Sequence, residues 1–127
     1  MAAEAAEYPP RYLAGVLFFN DGDYFEAHEV WEDLWHDCPS AERLFYQSLI
    51  QAAVALYHWG NLNRAGATRL FASGRAKMAG YRPRHLGLDV GRFWADVETA
   101  LADALAGRPP GDAPTPRIAL DPPAPSG

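Results

Sequence analysis

A chain of 127 residues with 49% hydrophobic and 13% aromatic side chains is expected to make one domain with a packed core, which argues against a wholly disordered chain. A formal charge of -5 gives no global attraction to nucleic acid or to an anionic membrane, and one cysteine, Cys38, excludes an intrachain disulfide and a thiolate zinc cluster. No apolar run reaches membrane-spanning length, and the acidic, alanine-rich Met1 to Glu7 does not resemble a signal peptide, so the cytoplasm is the expected compartment.

The punctuation predicts an all-α domain of about five helices over residues 1–106, with two stacked antiparallel hairpins and a C-terminal helix. Pro9 and Pro10 precede a first helix over Arg11 to Asn20, which Asp21-Gly22-Asp23 ends. A second runs from Tyr24 to Asp37 and stops at Pro39. Ser40 opens a third, reaching Trp59 before Gly60-Asn61, and a fourth spans Leu62 to Ala79. Residues Arg84 to Gly91 read as a connector with no strand, and Arg92 to Leu105 as a fifth helix gathering Phe93, Val97, Leu101 and Leu105 on one face. From Gly107 to Gly127, proline and glycine predict a flexible tail.

Charge is unevenly spread. Arg43 to Leu88 holds seven Lys or Arg and no Asp or Glu, between acidic flanks. Arg64, Arg69, Arg75, Lys77, Arg82 and Arg84 read most simply as a solvated face. Cys38 has no basic neighbour in sequence to lower its pKa, so it is not expected to be a nucleophile.

The second helix carries the most informative pattern. At about 100° per residue, Tyr24, His28, Trp31, Glu32 and Trp35 share one stripe, while Glu26, Glu29 and Asp33 gather opposite it. His28 and Glu32, four residues apart, are close enough to share a proton or a cation, and burying either alone is costly. The third helix is apolar nearly all round, yet Arg43, Gln47, Gln51, Val54 and His58 form one line along it. Two adjacent helices with such lines would set them face to face. Arg43 would then pair with Glu32, and Gln47 and Gln51 would reach His28 or the indoles.

Leu13 to Ala27 aligns without gaps to Gln51 to Ala65, a spacing of 38, and the first copy resembles a tetratricopeptide hairpin. The combination His28-x3-Glu32-x2-Trp35, then Arg43 and Gln47, resembles the bacterial and archaeal domain-of-unknown-function family 309. Phe19-Asn20-x-Gly22-x-Tyr24-x-Glu26-Ala27-His28-Glu29, Gln51-Ala52-Ala53 and His85-Leu86-Gly87-Leu88-Asp89 fit the same pattern. That resemblance spans roughly Tyr12 to Leu101 and implies a small all-helical fold with a histidine–glutamate motif linked to metal binding. It supplies no reaction.

Three readings compete for the polar line. In the first it is a satisfied buried network that fixes how the hairpins register. In the second, His28 and Glu32 hold zinc, iron or manganese, with His58 or Gln51 completing the shell and Arg43 and Gln47 orienting a substrate. His28 would then be a ligand or general base. In the third, the protein is a non-catalytic module that presents a groove to a small molecule or peptide, alone or as a homo-oligomer, with nucleic acid not the expected partner and no membrane partner expected.

Overall fold

Proline opens the first helix because its missing N–H is not needed there. In the computed structural model, which describes residues 7–38 and 40–124, helix α1 (Pro10–Asn20) is followed by α2 (Tyr24–His36), α3 (Arg43–Gly60) and α4 (Arg64–Met78). Two short strands, β1 (Arg84–His85) and β2 (Leu88–Asp89), then lead into α5 (Val90–Ala100) and α6 (Ala102–Leu105). The fold is all-α, with six helices among the described residues. No helix among them is long and apolar enough to cross a membrane. Pro39, the expected stop of the second helix, lies outside the described residues, as do the acidic Met1 to Ala6 and the last three residues of the tail.

Several boundaries differ from expectation, among them the start of α4, which moves from Leu62 to Arg64 because Asn63 caps it by accepting the Gly66 N–H at 3.0 Å. Ser40–Glu42 forms a 3-10 turn before α3 begins at Arg43. The fifth helix starts two residues early, at Val90, because Asp89 caps it by accepting the Arg92 N–H at 3.1 Å, and it breaks at Leu101 before α6. The connector contains an antiparallel hairpin, Arg84 opposite Asp89 and His85 opposite Leu88. Its two-residue turn needs positive φ at both positions; Gly87 (φ 75°) adopts this freely, whereas Leu86 (φ 46°) is an unusual occupant and hides the signal. The Tyr12 hydroxyl donates to the Leu86 carbonyl at 2.9 Å and holds the turn against α1.

The hairpins α1–α2 and α3–α4 do repeat, but at a spacing of 40. The N–H groups of Asp21, Gly22 and Asp23 close onto Leu17, Phe18 and Phe19. Those of Asn61, Leu62 and Asn63 close onto Tyr57, His58 and Trp59 in the same order. Gly22 (φ 80°) and Leu62 (φ 62°) occupy the same left-handed position. The gap-free sequence alignment is thus two residues out of register, because it matched apolar periodicity and not the turn.

Trp31 locks the first hairpin. It is fully buried, and a Cβ added at Gly15 would lie 1.9 Å from its Nε1, so α1 approaches the indole only because Gly15 has no side chain. Its N–H donates to the Tyr12 carbonyl at 3.2 Å. Around it Tyr12, Phe19, Phe45, Leu49 and Trp94 form the buried centre. The tail after Gly107 carries no helix or strand, but it is held at Ile118. Asn20 Nδ2 donates to the Ile118 carbonyl (2.9 Å) and Asn20 Oδ1 accepts the Ile118 N–H (2.7 Å), with the isoleucine side chain buried.

Candidate functional site

Helices α2 and α3 run antiparallel. Trp35 meets Arg43 at one end of the pair, and Tyr24 and Phe25 meet Tyr57 and His58 at the other. This brings the two sequence-predicted lines side by side. His28 Nε2 lies 3.3 Å from Glu32 Oε2, and Nδ1 lies 3.3 Å from the Phe25 carbonyl one turn back. A ring carrying both protons satisfies both oxygens. The side chains are 23% and 47% exposed, so the pair sits at a rim, with the second carboxylate oxygen open to a ligand or to solvent. Beside it, Tyr24, Phe25, His28, Val54, Tyr57 and His58 enclose a mainly apolar notch of about 120 Å³.

The other predicted residues disperse along the trough. Arg43 does not pair with Glu32. Its guanidinium lies 4.3 Å from the Trp35 ring centroid and donates to the Trp35 carbonyl at 3.2 Å, because Trp35 stands one turn nearer the start of α3 than Glu32 does. Trp31 points away from the trough, into the α1 interface. Tyr24 packs edge-on against Phe19 (5.3 Å) while lining the notch. His58 is held by Asn63, whose Nδ2 lies 3.3 Å from its Nδ1. Gln47 makes no hydrogen bond among the described residues, and buried Trp35 Nε1 and Gln51 Oε1 have no partner there.

The α3 line therefore does not close on itself. Arg43, Gln47, Gln51, Val54 and His58 are all partly exposed. Gln51 abuts Gly74 and His58 abuts Gly66, both on α4, so the line forms the floor of a trough with α2 on one side and α4 on the other. Ser73 and Lys77 share the same arc of α4 as those glycines, and Lys77 Nζ donates to Ser73 Oγ at 2.6 Å.

Sequence reading missed a second histidine–carboxylate pair. His85 Nε2 and Glu42 Oε2 are 2.7 Å apart, each side chain 28% exposed, with the imidazole between Phe45 and Tyr81, both centroids at 4.7 Å. The residues are 43 apart in sequence, and only the 84–89 hairpin brings them together. An acidic residue immediately before the polar line and a histidine before Leu-Gly were the available signals. Burial, with Cys38 and Glu42 nearby, pushes the Tyr46 hydroxyl up to about 12. Burial likewise raises the Cys38 thiol, which agrees with the expectation that it is not a nucleophile.

Among the described residues no three His, Cys, Asp or Glu side chains gather as a metal-binding group. His28 and Glu32 offer two donors, fewer than the three protein ligands of a catalytic zinc site. An uncharacterized Bacillus subtilis protein, YpuF, is 43% identical over 90 residues, covering 68% of this chain and 52% of that protein. An uncharacterized protein of Aquifex aeolicus is 29% identical over 93 residues, covering 72% of this chain and 28% of that protein. The chain thus spans about half the length of the Bacillus relative and less of the other, and neither comparison supplies an activity. Residues 12–70, from the start of the first hairpin to the middle of α4, match the model of the domain of unknown function DUF309.

Proposed function

We propose that the chain is a ligand-binding helical module, working in the cytoplasm, whose site is the trough along α3 between α2 and α4. One observation carries this reading: buried Trp35 Nε1 and Gln51 Oε1 are unpartnered among the described residues, in a line whose every member is partly exposed. Buried polar groups are normally paired, and each unpaired one costs about 1–3 kcal/mol. A small polar molecule that accepts from the indole and donates to the amide would recover that cost. Glu32 on one wall and Arg43 and Lys77 on the floor and opposite wall would orient a ligand bearing charge of either sign.

The test uses the indole N–H resonance of Trp35 during titration with pooled amino acids, nucleosides and sugar phosphates. A compound that shifts it in the wild type and not in Gln51→Met supports the reading. Loss of more than about 1 kcal/mol of stability in both Trp35→Phe and Gln51→Met would show that the two atoms are already paired, and the site would fall.

The second reading, a divalent cation, is favoured by the 3.3 Å between His28 Nε2 and Glu32 Oε2. Donors each about 2.0–2.2 Å from one tetrahedral zinc stand about that far apart. These residues fill two positions only, so a cation would be held weakly and completed by the ligand, whose oxygen it would polarise. Calorimetric titration with zinc should show binding that both His28→Ala and Glu32→Gln abolish. Absence of binding, or unchanged binding in either variant, would end this reading.

A further inference from the structure

A separate cavity of about 210 Å³ forms where three segments distant in sequence converge. The 84–89 hairpin contributes Arg84 and Asp89, helix α5 contributes Arg92 and Asp96, and the tail contributes Arg117. Buried Leu88, Phe93 and Ile118 supply apolar lining. At about 30 Å³ per water, the space corresponds to about seven waters, enough for a small organic molecule.

The charges are present but weakly committed. Arg84 reaches Asp89 at 3.9 Å and Asp121, outside the lining, at 4.0 Å, and Arg92 reaches Asp96 at 3.7 Å. All three contacts are longer than a charge-assisted hydrogen bond of about 2.7–2.9 Å. Arg117 has no ion pair among the described residues. It is nevertheless held in place, because Asn20 clamps both backbone groups of the next residue, Ile118. Three guanidinium groups against two lining carboxylates leave the lining net positive by one charge. Planar guanidinium groups that are not saturated by carboxylates bind carboxylate or phosphate oxygens in two-point fashion.

We propose that this cavity binds a small organic anion, a carboxylate or phosphate head on a short apolar stem, and that docking of the tail completes the site by delivering Arg117. The head lies between Arg117 and Arg92, and the stem lies on Phe93 and Ile118. This site shares no residue with the α3 trough and does not depend on the proposal made for it.

Titration of the full chain with phenyl phosphate and with benzoate, followed by amide chemical shifts, tests the proposal. Saturable binding that perturbs residues 92–96 and 117–119 is expected, weakened about tenfold by Arg117→Ala and by Arg92→Ala, as loss of one charge-assisted contact implies. Asn20→Ala should weaken it as well without removing a charge, since it releases the segment that carries Arg117. Arg117 is exposed and unpaired among the described residues, so its variant should keep the wild-type fold and melting temperature. Preference for phenyl phosphate over inorganic phosphate would support the apolar stem, and preference for phenyl phosphate over benzoate would identify the head as phosphate. Equal binding of inorganic and phenyl phosphate, binding unchanged in Arg117→Ala, or no saturable binding of either probe would overturn the proposal.

Discussion

Hairpins α1–α2 and α3–α4 close with the same turn hydrogen bonds forty positions apart, yet only the first carries an ionisable pair on its second helix. Where α2 has His28 and Glu32, α4 has Thr68 and Ala72 at the matching positions. Ala27 and Ala67, both fully buried, match, as do the buried aromatics Trp31 and Phe71. The repeat thus copies what positions the helices and leaves free the face on which His28 and Glu32 lie. The histidine–glutamate pair is an addition to one copy of a scaffold, not a requirement of the scaffold.

The sharpest way to break this comparison is at the helix crossing. Gly15→Ala places a Cβ against the Trp31 indole and should cost about 3 kcal/mol, at the upper end of overpacking effects. Ala55→Gly, the reverse change at the matching site of α3, should cost only about 0.5–1 kcal/mol. Urea unfolding of both variants decides it; equal costs would mean that the two crossings are equivalent and that Trp31 is not the lock.

The next effect concerns the boundary between the hairpins, where Tyr12 and Tyr46 pack with centroids 6.2 Å apart. Tyr46 ionises at about 12 in the fold against about 10 when unfolded, so between those pH values the unfolded chain loses its proton first. Stability present below pH 10 should therefore fall as pH rises, by about 2–3 kcal/mol at pH 12 from this residue. Tyr46→Phe should flatten that part of the stability profile. An unchanged profile would mean that the hydroxyl is not held in its neutral form.

The smallest effect tests the turns. Gly22→Ala meets no neighbouring atom, so its cost is conformational alone, about 1 kcal/mol. Leu62 holds the same left-handed geometry with its side chain 70% exposed, and Leu62→Gly should gain about 0.5–1 kcal/mol. Opposite signs in thermal melts would confirm that the turns are equivalent; a loss at Leu62 would reveal a packing role for it.

Much of the fold was legible because helices announce themselves locally. Pro10, Gly22 and the 3.6-residue periodicity place α1 and α2 to within a residue or so. The stripe bearing Tyr24, His28 and Glu32 was legible for the same reason, since i and i+4 neighbours meet wherever a helix forms. The partner of Arg43 was not. A line on one helix does not reveal its axial offset from a line on another, and that offset gives Arg43 to Trp35 and leaves Glu32 at the rim.

By itself, the sequence determined that this protein is a set of amphipathic helices, that two hairpins recur, and that His28 stands one turn from Glu32. Tertiary structure alone decided that Trp31 turns inward while Trp35 stays on the trough, and that Glu42 meets His85. It also decided that a proline-rich tail returns so that Arg117 and Arg92 line one cavity. Backbone periodicity is a short-range property, written within a few residues, whereas these juxtapositions depend on crossing geometry and on which surfaces several distant segments bury together.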